Sequence, residues 1–215
     1  MKNEIKRNLP KINLNPNDLF IHIRSGDIFN YKYNKDSNYA QPPLCFYQSI
    51  INKFNFTKIF IIAENKKNPI IDILIKQYPK ILFTNNELEK DVAILANAYY
   101  LVGSISSFFT TLIIINENLK AIWEYAHYML IEKYLHLHHD IYNYRIKYSI
   151  YKMYPSLKFK SIMFPWRSSK EQINFMINEK CEYFQLIRPH EKNNLSWIYE
   201  WISNLSNLFF IYIKI

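Results

Sequence analysis

Short apolar runs alternate with amphipathic stretches through the first half of the chain. Residues 19–23 form a β-rich run, and 58–63 (Lys-Ile-Phe-Ile-Ile-Ala) form an uninterrupted apolar run of the kind buried on both faces of a parallel sheet. Residues 81–83 and 99–102 read as two further strands. Between them lie helical patterns. One spans 44–54 behind Pro42-Pro43, where proline suits a helix start. A second runs from Asn68-Pro69 to about residue 78, with Ile70, Ile71, Leu74 and Ile75 on one face. A third covers 89–98, with Val92, Leu95 and Ala96 on one side, and a fourth covers 106–115. Strands separated by single helices predict right-handed crossovers and a Rossmann-like parallel α/β domain over residues 1–118. Beyond it, 119–137 reads as one helix and the rest as aromatic and irregular, which predicts a mostly helical extension over 119–215 packed on the first domain.

The composition fits a folded chain and excludes a disordered one: 49% of the 215 residues are hydrophobic and 21% charged. The formal charge of +9 admits an anionic partner. The abundance of Asn, Lys, Ile and Tyr points instead to codon bias as the larger source of that charge. The basic residues are scattered and form no stripe, which argues against a nucleic-acid-binding module and leaves it as an alternative. Cys45 and Cys181 lie far apart in no metal-type pair. They indicate no disulfide scaffold, and a single bridge stays open. The first residues contain no apolar signal-peptide core, and the run 208–213 is too short to span a bilayer. The expectation is a soluble cytoplasmic protein, with peripheral contact to a membrane left open. His136, His138, His139 and Asp140 invite a metal reading, but only His136 and Asp140 would share a helix face. A solvated helix end accounts for them, so no metal site is expected. Trp123, Trp166, Trp197 and Trp201 are read as core and interface residues before sugar or base stackers.

Chemistry gathers around the chain's only two glycines. Gly26 lies in His22-Ile23-Arg24-Ser25-Gly26-Asp27, and Gly103 in Leu101-Val102-Gly103-Ser104-Ile105-Ser106-Ser107-Phe108. Both fall at expected strand ends, and ligands of an open parallel sheet bind beyond the carboxyl ends of its strands. Arg24 offers a planar fork of donors suited to phosphate oxygens. Ser104, Ser106 and Ser107 precede a helix whose first N–H groups make an anion site. An arginine and a helix start meeting in one crevice would hold a diphosphate. The competing readings are that Arg24 pairs with a local acid such as Asp27 and that the serines are ordinary caps. Asp27 and Glu64 are the carboxylates near strand ends that could serve as general base toward an acceptor hydroxyl. Asp27 could equally cap its own turn.

The first of these segments matches the HxRxGD pattern of the fucosyltransferase superfamily. The stretch from Lys90-Asp91-Val92 through Ala98-Tyr99-Tyr100 to Phe108 resembles that superfamily's second donor-site block, especially in protein O-fucosyltransferases. Gln41-Pro42-Pro43, Phe46-Tyr47 and the strand end Ile61-Ile62-Ala63-Glu64-Asn65 also fit, so the resemblance covers about residues 18–116. It implies a two-lobed GT-B-type architecture and inverting transfer of fucose from GDP-fucose to a glycan hydroxyl, with no cofactor and no required metal. Arg24 would contact the β-phosphate and stabilise the departing diphosphate, with Asp27 beside it, and His22 and Gly26 would line the same site. Asp91 would recognise guanine through its N–H edge, a role the matched block favours over that of a first-turn acid stabilised by its helix dipole. Gly103, Ser104, Ser106, Ser107 and Phe108 would form the nucleotide-contacting turn. Two departures stand out: Ser25 follows Arg24 where a second arginine is common, and Tyr99 stands where an acid is usual. Only about 20 residues precede the first motif. An acceptor lobe is therefore expected to be absent, truncated or supplied by a partner chain, which makes a nucleotide-sugar-binding remnant without transfer activity the main alternative.

Overall fold

Four consecutive buried side chains make Leu19–His22 a strand, β1, that needs cover on both faces. The computed structural model, which describes residues 9–30, 39–125, 149–153, 156–181 and 185–187, supplies that cover. Around β1 lie β2 (Ile59–Ile62), β3 (Ile81–Thr84), β4 (Tyr100–Gly103), β5 (Ala121–Tyr125), β6 (Ser149–Met153) and β7 (Gln185–Ile187). They form one seven-stranded sheet in the order β3-β2-β1-β4-β5-β6-β7. Every neighbouring pair is parallel except β6–β7, which is antiparallel. The central register aligns Ile21 with Ile61 on one side and with Val102 on the other. This is an α/β, Rossmann-like fold. Its strand order reverses between β1 and β4, which opens a crevice at their carboxyl ends.

Alternation along the strands divides the core in two. Leu19, Ile21, Ile59, Ile61, Val102 and Trp123 face a cluster filled by α1 (Leu44–Lys53) and α2 (Pro69–Gln77). Phe20, Ile62, Leu101 and Ile122 face the other cluster, which contains residues of α3 (Leu88–Leu95) and α4 (Ser107–Ile115). Helix α1 buries Leu44, Phe46, Tyr47, Ile50 and Ile51, the one-sided spacing of an amphipathic helix. Helix α2 starts where Asn68 caps it, its side chain accepting from the Ile70 N–H, with Pro69 at the first position.

The second half departs from expectation. Residues 119–137 do not begin as a helix, because 121–125 are β5. Ala121, Trp123 and Tyr125 belong to one cluster and Ile122 to the other, a period of two. A short, mostly apolar run is ambiguous between helix and strand, and the open side of β4 decides it by offering backbone partners. The rest of that expected helix lies outside the described residues. Nor is the extension simply helical: β5, β6 and β7 continue the same sheet across residue 118. Helices α5 (Leu157–Met163) and α6 (Lys170–Asn178) do form, and they pack on each other, with α6 against α1.

The two cysteines are joined. Cys45 in α1 and Cys181 just beyond α6 form a disulfide with a Cα–Cα distance of 5.5 Å, closing a separation of 136 residues. Trp166 is 1% exposed and belongs to the core, while Trp197 and Trp201 lie outside the described residues; Trp123 is 1% exposed and stacks on Tyr151 at 5.2 Å. With Phe54, Phe56 and Tyr100 they line a pocket of about 330 Å³ at the amino edge of the sheet. No helix among the described residues is long and apolar enough to cross a membrane.

Candidate functional site

At the crevice, β1 ends in His22 and β4 in Gly103, and one hydroxyl joins the two strand ends. The backbone N–H of Arg24 donates to Ser104 Oγ at 2.9 Å, and the same oxygen lies 3.1 Å from His22 Nδ1. Oγ carries one proton and two lone pairs, so it can bond Nδ1 in either imidazole tautomer while accepting from Arg24. The imidazole is buried, stacked on Phe109 at 5.7 Å and tilted against Phe108 at 5.6 Å. Burial and then the charge of Arg24 lower its pKa to about 4, so it is neutral near pH 7. His22 thus holds the floor of the site. Gly103 is needed for the same packing, since a Cβ there would strike the Phe109 ring.

The loop after β1 is laced to the loop after β2. Ser25 Oγ donates to Asn65 Oδ1 at 2.8 Å and accepts from the Asn68 N–H at 3.0 Å. Asn65 Oδ1 also accepts from the Gly26 N–H at 3.2 Å, and Asn68 Nδ2 donates to the Arg24 carbonyl at 3.1 Å. Ser25, where the resemblance favours arginine, is therefore a structural anchor. Gly26 has φ of +74°, and a Cβ there would collide with the Glu64 carboxylate. It opens the short 3₁₀ turn Gly26–Phe29. Sequence reasoning left Asn65 and Asn68 unassigned to the site; paired asparagines at a strand end were the available signal.

Arg24 does pair with its local acid. One guanidinium nitrogen donates to Asp27 Oδ1 at 2.8 Å, with the arginine side chain 31% exposed and the aspartate 65%. The pair does not use the whole fork. Arg24 Nε is buried with no hydrogen-bond partner, and the guanidinium sits 5.9 Å from the centre of the Tyr39 ring. Gln41 Nε2 donates to the backbone carbonyl of the same Tyr39 at 2.9 Å.

Ser106 occupies the N-cap position of α4 and makes no side-chain capping bond, and Ser107 is the first residue of that helix. The competing reading of the serines as ordinary caps does not describe Ser104, which locks β1 to β4. Phe108 is half-buried against His22. Asp91 reaches the carboxyl edge from the first turn of α3, where Asn86 Nδ2 donates to it at 2.8 Å. Burial raises its pKa, partly offset by Asn86 and by Lys90. The site therefore draws together His22, Arg24, Gly26, Asp27, Gly103, Ser104, Ser106 and Phe108, while Asp91 is held locally by Asn86.

No group of histidine, cysteine, aspartate and glutamate side chains among the described residues could hold a metal ion. The cluster at His136, His138, His139 and Asp140 lies outside those residues. Comparisons with family models, curated proteins and solved structures return no match to this chain, so its functional reading rests on these residues and their geometry.

Proposed function

We propose that the crevice between β1 and β4 binds a nucleoside diphosphate sugar, and that the chain is a fucosyltransferase-like glycosyltransferase with a GT-B-type donor lobe. The observation that carries this reading is the reversal of strand order between β1 and β4, where Arg24, with one donor still unpartnered, is tied through its backbone N–H to Ser104 ahead of α4. A departing diphosphate gains negative charge as the glycosidic bond opens, and a fixed cation with first-turn N–H groups stabilises that charge. In an inverting transfer from GDP-fucose, the acceptor hydroxyl attacks the anomeric carbon while the bond to the diphosphate oxygen breaks. The hydroxyl proton passes to a carboxylate at the crevice, Asp27 or Glu64. Asp27 has a second task in this scheme, to hold the guanidinium, and Asp91 is the proposed guanine reader.

Calorimetric titration of GDP into wild type and Arg24→Ala tests the reading. GDP should bind wild type more tightly than UDP, and the variant about tenfold more weakly or worse, the loss of a charge-assisted contact. Equal GDP affinity in the two proteins removes Arg24 from the site. GDP binding without transfer to any acceptor would favour a nucleotide-sugar-binding protein over an enzyme.

A further inference from the structure

The Gln41 side chain has no exposed surface. Its Nε2 donates to the Tyr39 carbonyl at 2.9 Å and lies 3.5 Å from the Ile105 carbonyl. Those two carbonyls fix the amide, because the flipped orientation would set Oε1 against two acceptors. Oε1 is therefore committed as an acceptor, and it has no hydrogen-bond partner. Native folds pair nearly all such buried groups, and the exceptions call for an explanation.

The neighbourhood of Gln41 suggests one. Tyr39 lies under the Arg24 guanidinium, and Ile105 follows Ser104, the residue that bonds the Arg24 backbone. Arg24 Nε is itself buried and unpartnered. The same small region thus holds a charged donor without an acceptor and a neutral acceptor without a donor. The first calls for an anionic oxygen, the second for a hydroxyl or N–H. A phosphate ester attached to a hydroxylated carbon ring offers both within a short span, whereas a bare phosphate chain offers only the first.

We propose that Gln41 is a ligand-binding residue whose side-chain carbonyl accepts a hydrogen bond from a hydroxyl of the sugar carried on the diphosphate. The assignment rests on the nucleotide-sugar reading of the crevice. It makes Gln41 the group that separates a glycosylated diphosphate from the bare nucleotide. A buried acceptor whose partner comes from the sugar makes binding selective for the glycosylated ligand.

The test compares wild type with Gln41→Met, a substitution of similar shape that lacks the carbonyl, by titration with GDP and with GDP-fucose and by thermal melting without ligand. The variant should hold GDP within about twofold of wild type and lose about tenfold for GDP-fucose, roughly one hydrogen bond. Equal losses for both ligands, or none for either, overturn the assignment while leaving the crevice reading intact. Wild type that binds neither ligand overturns both. Should Gln41→Met fail to fold, wild type is titrated with GDP-sugars in which single hydroxyls are replaced by hydrogen. One of these should bind about tenfold more weakly than its parent, and equal affinity across the set overturns the assignment by itself.

Discussion

Two buried glutamines mark two differently built regions. Gln172, in α6, uses every position of its amide. Its Oε1 accepts from the N–H groups of Arg167 at 2.8 Å and Ser169 at 3.3 Å, and its Nε2 donates to the carbonyls of Ile162 at 3.1 Å and Pro165 at 2.8 Å. With Ser169 it also forms a capping box. Gln41, at the crevice, leaves Oε1 unmet. A glutamine whose amide is fully used serves folding, and one with an unmet oxygen beside a crevice is open to a further task, although Tyr47 Oη and Trp123 Nε1 are also buried without partners among the described residues. The first region braces the second. Trp166, in the loop before α6, donates from Nε1 to the Ile28 carbonyl at 2.9 Å and packs edge-on against Phe29, so it supports the 3₁₀ turn that carries Asp27. The Cys45–Cys181 bond ties that clamp to α1.

If the clamp serves folding, the largest effect should come from opening it. Replacing both cysteines with serine should lower unfolding free energy by on the order of 4 kcal/mol, as expected for closing so long a loop. Urea unfolding measures this, and an unchanged midpoint would show that the packing of α6 on α1 holds without the covalent bond. The crevice side should answer to pH. Unfolded, the His22 imidazole takes a proton as pH falls through 6.5; folded, it does so only near 4. Its contribution to stability is therefore fully present above 6.5 and is lost as pH falls from 6.5 toward about 4, by about 3 kcal/mol in all. His22→Gln should flatten that segment of the stability–pH curve, and a slope equal to wild type would place the titration elsewhere. A smaller loss, about 2 kcal/mol, is expected for Gln172→Leu, which strands the buried partners of the amide. The same denaturation series reads it, and it should be destabilised where Gln41→Met is not. If both glutamine variants lose stability equally, the contrast between the regions disappears.

Much of this was legible in the residues. The first four strands and four helices follow from apolar runs and their spacing, and the crevice from two polar motifs at strand ends. The Arg24–Asp27 pair was readable because its members lie three positions apart. What escaped depended on distance along the chain. Nothing near Trp166 announces a bond to Ile28, and nothing near Cys45 names Cys181. The lacing of Ser25 to Asn65 and Asn68 requires β1 and β2 to be neighbours in parallel register before the side chains can meet. Strand β5 escaped for another reason: its period became decisive only once β4 offered it an edge. Gln41 stood in a quoted motif, but its unmet oxygen is a property of surroundings drawn from residues 39 and 105 together.

The scarcity of glycine gains a different meaning once the two positions are seen in place. The rest of the chain makes its turns with Asn, Pro, Ser and Lys, and glycine stands at two positions only. Backbone torsion alone does not dictate glycine, because Ser168 keeps a φ of 55° without being glycine. At Gly103 an added carbon would have to occupy space held by the Phe109 ring, whereas at Gly26 the φ of +74° strains any side chain and the exposed end of Glu64 can move aside. Exchange at position 103 should therefore need a smaller side chain opposite, and exchange at position 26 a residue that accepts the left-handed turn.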